Sequence, residues 1–183
     1  PGVTLMWVNS AAKQAVFSAQ LLYTQNPKTL ENADWYPVLH GISKSINVIV
    51  LVLLLVVQIK SLEMLFDKKV SLIYGLFVSL EPYLVGIDRW FHLTSFQTYF
   101  SFTSILVFLV WLKKDRLLQK SNNLSLFKKS QKLIYLSAFL FGLAVLSKIT
   151  AFVLMPVFLY FFVRHFAATK KVTPALRFFL TFV

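Results

Sequence analysis

The sequence predicts an all-α fold, a polytopic transmembrane helical bundle with an N-terminal interfacial helix. Three observations carry that expectation. First, 57% of the 183 residues are hydrophobic, 19 of them Phe, and the mean hydropathy is +0.69. A soluble domain runs at about 45–50% apolar residues, and one of this size still turns a large surface to water. Second, the apolar residues come in runs close to the roughly 20 residues that a hydrocarbon core of about 30 Å demands of a helix. Third, 19 Lys+Arg stand against 7 Asp+Glu, a net charge of +12, and the cations fall in short segments between the apolar runs. A basic excess points to nucleic acid or to an anionic membrane. This placement is that of cytoplasmic loops, so membrane lipid is an expected partner and nucleic acid is not. With no Cys in the chain, disulfides and thiolate metal sites are excluded.

The single unit 1–183 divides as follows. Residues 1–37 form an outer loop with an interfacial helix. Val3, Met6, Trp7, Val16, Leu21 and Leu22 alternate with Asn9, Ser10, Lys13, Gln14 and Gln20, an amphipathic pattern that suits headgroup depth. Asn26-Pro27 and Asn32 then mark a turn-rich loop. The first span covers about 38–60. Its β-branched residues do not argue for a strand, because a lone strand leaves its backbone unsatisfied in lipid. Further helices follow over about 70–84 and 91–112, separated by the polar break Gly86-Ile87-Asp88-Arg89. Leu133–Val163 is too long for one crossing, and Lys148 falls in its middle. A Lys at mid-bilayer costs roughly 2.5–3.5 kcal/mol. Two helices, about 132–147 and 149–165, with Lys148 at the turn, avoid that penalty, and Pro156 is a candidate kink. Residues 174–183 start a further helix. The chain begins at Pro1 without a signal peptide and stops inside an apolar run, so an internal piece of a longer protein is expected.

Charge then orients the spans. Lys113, Lys114, Arg116, Lys120, Lys128, Lys129 and Lys132 face the lone Asp115 and mark a cytoplasmic loop. Arg164, Lys170, Lys171 and Arg177 mark another, and Lys60, Lys68 and Lys69 a third, diluted by Glu63 and Asp67. Two cytoplasmic flanks around 133–163 require an even number of crossings. The outer face then collects Glu31, Asp34, His40, Lys44, Glu81, Asp88, Arg89, His92 and Lys148. No Gly-rich phosphate loop, zinc-type spacing or nucleophile elbow is present.

Three stretches, in order, carry a resemblance. Pro1-Gly2-Val3-Thr4-Leu5-Met6-Trp7 looks like the end of a His-Pro-Gly-Val-Thr-x-Met-Trp outer loop. Ser79 to His92, with Glu81-Pro82 and Arg89-Trp90-Phe91-His92, looks like an Asp-Pro…Arg-x-x-His-x-Asp turn. Gly142-Leu143-Ala144-Val145-Leu146-Ser147-Lys148-Ile149-Thr150-Ala151, followed by Pro156, looks like a Gly-Leu-Ala-x-Leu-(Ser/Thr)-Lys-x-x-Ala run. Together they resemble the GT-C class glycosyltransferases that include dolichyl-phosphate-mannose–protein mannosyltransferases and the aminoarabinose transferases of lipid A. The resemblance implies transfer of a sugar from a polyprenyl-phosphate donor to an acceptor protein, lipid or glycan. It implies a multi-pass protein of the cell membrane with its site on the extracytoplasmic face.

On that reading the leaving phosphate needs cations near the outer boundary. Arg89 and Lys148 are the candidates. His92 and Glu81 are candidates for acceptor or metal contact, and a divalent metal is the one cofactor to consider. His40, Lys44 and Asp88 are weaker candidates. The catalytic carboxylate that takes the acceptor's proton is expected upstream of Pro1. Two departures bear on activity: Thr94 stands where the family has an Asp, and Glu81 replaces an Asp. The plain alternatives are a snorkelling Arg89 and a Lys148 that reaches headgroups from a helix end. The rival reading is a membrane transporter or a non-catalytic membrane subunit. A transporter places its charges near mid-membrane and in paired halves, neither of which is legible here.

Overall fold

The computed structural model describes residues 3–24, 36–82, 86, 93–121, 124–169, 178 and 180–181. Among these no residue lies in a strand. The described residues include six α-helices in this order: α1 (Val3–Thr24), α2 (Tyr36–Leu65), α3 (Lys68–Leu80), α4 (Leu93–Ser121), α5 (Leu124–Ser147) and α6 (Met155–Thr169). A 3-10 segment, Ile149–Leu154, leads from α5 into α6. Among the described residues three stretches are long and apolar enough to cross a membrane: His40–Leu65, Thr94–Leu117 and Ile149–Ala168.

α4 is the centre. Of its apolar window 72% is buried, against 28% for α2 and 22% for the stretch into α6. The outer helices therefore touch it with one stripe each. On α2 the stripe is Asn47, Leu51, Leu54, Gln58, Ser61 and Leu62, a three-to-four spacing that keeps one helical face inward. Its opposite face is bare hydrocarbon: Ile49 and Leu53 are 57% and 61% exposed. α3 is similar, with Ser71 and Gly75 inside and Phe77 71% exposed. Polar residues inside and apolar residues outside reverse the order of a water-soluble helix.

Buried polar groups tie the helices at fixed heights. Gln58 donates from Nε2 to the Thr103 hydroxyl at 2.9 Å and the Tyr99 carbonyl at 3.2 Å, and its Oε1 accepts from the Tyr74 hydroxyl at 2.6 Å. One side chain thus joins α2, α3 and α4. The hydroxyls of Ser104 and Ser137 each donate to the other's backbone carbonyl, at 2.8 and 2.9 Å, which brings the backbones of α4 and α5 close. Gly75 serves the same purpose between α3 and α2. A Cβ there would stand 2.8 Å from Cδ1 of Ile59.

Below these contacts lies an aromatic layer. Phe108 of α4 meets Phe158 and Phe162 of α6 edge to face, with ring centroids 5.2 and 5.0 Å apart. Phe178 packs on Phe158 at 4.9 Å. The Phe158 and Phe162 side chains are thus packing residues, while Val163 and Phe166 hold the outer face of α6.

The turn from α2 to α3 is built by its sequence. Asp67 is extended and its carboxylate accepts from the Val70 amide at 2.8 Å, an N-cap. Lys113 of α4 reaches the same turn, where its ammonium donates to the Met64 and Leu65 carbonyls at 2.8 and 3.0 Å and closes the C-terminus of α2. Pro156 falls in the first turn of α6, where a missing N–H removes no helical bond. The expected kink takes the form of the 3-10 segment immediately before it.

A double-mutant cycle tests the polar hub. Gln58→Leu and Tyr74→Phe, unfolded from micelles, are expected to show a coupling of about 0.6–1.7 kcal/mol. A coupling of zero would mean that the bond between them does not hold α3 to α2.

Candidate functional site

Helix direction sorts the charged residues between two ends. The short turn at Phe66-Asp67 makes α3 antiparallel to α2, and the Ser104–Ser137 exchange makes α5 antiparallel to α4. α2 and α4 are parallel, since Gln58 meets Thr103 while Met64 and Leu65, further along, meet Lys113. α6 is parallel to α4 as well, since Phe158 meets Phe108 and His165 meets Asp115.

These pairings set the heights of the sequence-derived candidates. Counting from Ser137 to Lys148 and the same distance back from Ser104 brings Lys148 level with Leu93, the start of α4. Counting out from the Phe66-Asp67 turn brings Glu81 level with Val52, and so with Gln97 in the second turn of α4 through the Gln58–Thr103 bond. Glu81, Thr94 and Lys148 therefore share one layer, within about one 5.4 Å turn of each other along the axis. Asn47 joins it and donates to Asn9 of α1 at 3.5 Å, so α1 packs at this end. Lys44 stands about one turn beyond the layer and His40 about two. Both are exposed. Arg89, His92 and Asp88 lie outside the described residues.

Local structure explains why Lys148 is presented. The Ser147 hydroxyl donates back to the Leu143 carbonyl at 2.8 Å, a side-chain bond that competes with continuation of the helix. Lys148 is extended, with φ −157 and ψ 125. Its amide still reaches the Ala144 carbonyl at 3.0 Å, while its own carbonyl accepts from Ala151 and opens the 3-10 segment. The side chain is exposed at this break. Glu81 is the C-cap of α3, also exposed. Among the described residues no group of three His, Asp or Glu side chains comes together to hold a metal.

A cleft of about 240 Å³ opens between α2, α3 and α4. Val78, Thr98 and Phe102 line it, with Gln58, Tyr74 and Tyr99 at its foot. Val78 is one turn before Glu81, so the cleft runs from just below the polar layer toward the Gln58 hub. Its exposed lining is almost wholly apolar.

The opposite end holds a feature that linear reading missed. Asp115 and His165 are both buried, with Nε2 and Oδ2 3.6 Å apart, and the Trp111 ring covers His165 at 5.2 Å. Asp115 sits within a run of cations and reads as a minor dilution of charge. Its distance from His165 in sequence hides the pairing. The one usable signal was the three-to-four spacing of Phe158, Phe162 and His165 on one face of α6.

The chain matches no protein-family model, no curated protein and no solved structure.

Removing one member of a buried ionisable pair strands the other, whereas replacing both with apolar residues does not. His165→Leu alone is therefore expected to lower stability by about 3–5 kcal/mol, with the Asp115→Leu/His165→Leu double variant closer to the parent. A double variant as unstable as the sum of the two singles would show that the groups do not act together. Denaturant unfolding in micelles reads the difference.

Proposed function

We propose that the chain forms five membrane crossings of a multi-pass protein of the cell membrane, with α1 at the interface and the Glu81–Lys148 layer on the extracytoplasmic side. Hydrocarbon on the outward faces of α2 and α3, with Gln58, Ser104 and Ser137 inside, supports the membrane reading. Three long apolar stretches running in the same direction need two return passes, and α3 and α5 supply them. α3, with 13 residues, is about 20 Å long and needs local thinning of the bilayer or protection by its neighbours. The cations Lys68, Lys69, Lys113, Lys114, Arg116 and Arg164 gather at the end opposite Lys148, as a cytoplasmic face requires.

The activity we propose is transfer of a sugar from a polyprenyl-phosphate donor to an acceptor outside, of the GT-C type. The observation that carries it is the ordered resemblance of Pro1–Trp7, Ser79–His92 and Gly142–Ala151. Support comes from the break at Lys148, which sets an exposed ammonium level with Glu81 above an apolar cleft. In the reaction the bond between the sugar's anomeric carbon and the phosphate oxygen breaks. A bond from that carbon to the acceptor oxygen forms, and a carboxylate takes the acceptor's proton. Lys148 and Arg89 would hold the departing phosphate, whose charge grows as the bond breaks. Glu81 and His92 would face the acceptor or a divalent metal. The cleft would take part of the donor's lipid chain.

Two measurements test this. Because the chain has no Cys, single cysteines label without background. Cysteines at 89 and 148 are expected to react with an impermeant reagent from outside, and one at 68 only after permeabilisation; reaction of 148 from the cytoplasm alone would sink the topology. The full-length protein is expected to transfer a radiolabelled sugar from its polyprenyl phosphate, at least tenfold slower after Lys148→Ala or Arg89→Ala, with part of the rate kept in Lys148→Arg. An unchanged rate removes that residue from the site, and no transfer by the parent removes the activity.

A further inference from the structure

The basic end is more than a scatter of loop charges, because three features converge on one turn. Lys68 and Lys69 form the first turn of α3 and are exposed. Lys113 is anchored by its two bonds to the end of α2, which brings Lys114 and Arg116 of α4 to the same level. On the turn itself Phe66 is 67% exposed, with Met64 and Val70 also bare at 43% and 42%.

Two aspects of this arrangement are unexplained by folding. A helix N-terminus carries the positive end of the macrodipole and favours acidic residues. Lys68 and Lys69 sit there instead. An aromatic ring at a tight turn, exposed between lysines, contributes nothing to the core. A charged boundary with an apolar interior answers both, since the ring enters hydrocarbon while the ammonium groups stay among headgroups. Orientation by positive charge asks only for cations somewhere in the loop. It does not require that α4 and the α2–α3 turn bring theirs to one level, with an exposed ring at the turn.

We propose that the α2–α3 turn, with Lys68 and Lys69 beside Phe66 and with Lys114 and Arg116 of α4 at the same level, is a binding surface for the headgroup of an anionic phospholipid. The inference rests on the reading of α2, α3 and α4 as membrane helices and not on the sugar transfer. The phosphate meets the ammonium and guanidinium groups, and Phe66 and Met64 lie against the upper acyl chain. Lys113, committed to the α2 carbonyls, frames the surface. Asp67 stays occupied as the N-cap, Asp115 is buried against His165, and Glu63 is the remaining acid near the turn, so cations outnumber acids there. Clusters of this kind at the cytoplasmic boundary attract anionic lipids, each cation raising association about fivefold.

The test is lipid selectivity of the full-length protein in bilayers. Protein is reconstituted in phosphatidylcholine with a trace of spin-labelled phosphatidylglycerol or spin-labelled phosphatidylcholine, and the motionally restricted fraction is measured. The parent is expected to favour phosphatidylglycerol by at least fivefold. Lys68→Gln/Lys69→Gln/Lys114→Gln is expected to bring the ratio close to one, and Lys68→Arg/Lys69→Arg to keep it. The glutamine substitutions relieve the helix dipole, and unchanged helicity and a single gel-filtration peak confirm that the fold persists. Equal association of the two lipids with the parent, or a ratio unmoved by the triple variant, overturns the proposal. So does loss of the restricted phosphatidylglycerol on adding inorganic phosphate but not chloride at matched ionic strength, which would mark a site for soluble phosphate. Failure to float with phosphatidylcholine vesicles overturns the membrane reading and this inference together. Absence of sugar transfer leaves the measured ratio, and the inference, standing.

Discussion

The mutual exchange of hydroxyl and carbonyl between Ser104 and Ser137 sets the register on which the other features depend. A serine is small enough for two helix backbones to approach, and its hydroxyl can satisfy itself on a carbonyl already in the ladder. Here each serine does so on the other's helix, and both are fully buried. A slip of one turn along that seam would move Lys148 by about 5.4 Å from the start of α4. The same slip would take Phe141 away from Phe158 and would loosen the aromatic layer in which Phe108 is central. The bond itself contributes modestly. Its importance is that it permits only one height.

The Gln58 hub does for α2 and α3 what the serine pair does for α5. A glutamine in an apolar helix has no water to fall back on and must find partners within the bundle. It finds Tyr74, Tyr99 and Thr103, and three helices are set at one height. Between these two polar ties and the polar contacts at the ends (Asn47 with Asn9, Lys113 with the end of α2, Asp115 with His165), the packing is mainly hydrocarbon and aromatic rings, which specify distance well and height poorly. Sparse hydrogen bonds within a greasy bundle thus act as markers of register.

Alternating direction then divides the molecule chemically. Lys68, Lys69, Lys113, Lys114, Arg116 and Arg164 come to one end, while Glu81, Thr94 and Lys148 come to the other. The end marked by Lys113 is basic and includes the enclosed Asp115–His165 pair. Among the described residues the far end carries charges of both signs, Glu81 and Lys148, above a cleft with an apolar wall.

Helicity was legible in the residues, because an apolar run of that length has only one way to satisfy its backbone in lipid. The basic clusters, the acid at Asp67 before an apolar run and the ammonium of Lys148 amid hydrophobic residues are likewise one-dimensional signals. Each needs only its neighbours in sequence to have a consequence. Composition also determined that the outer surface would be apolar, since there are too few polar residues to cover it. Only the tertiary structure decided which polar residues turn inward. Gln58 could have faced lipid headgroups, and Asp115 could have remained among the lysines. Their partners lie tens of residues away, and no local spacing encodes such a meeting. The heights of Glu81 and Lys148 were decided in the same way, by side-chain bonds between helices that sequence proximity does not relate.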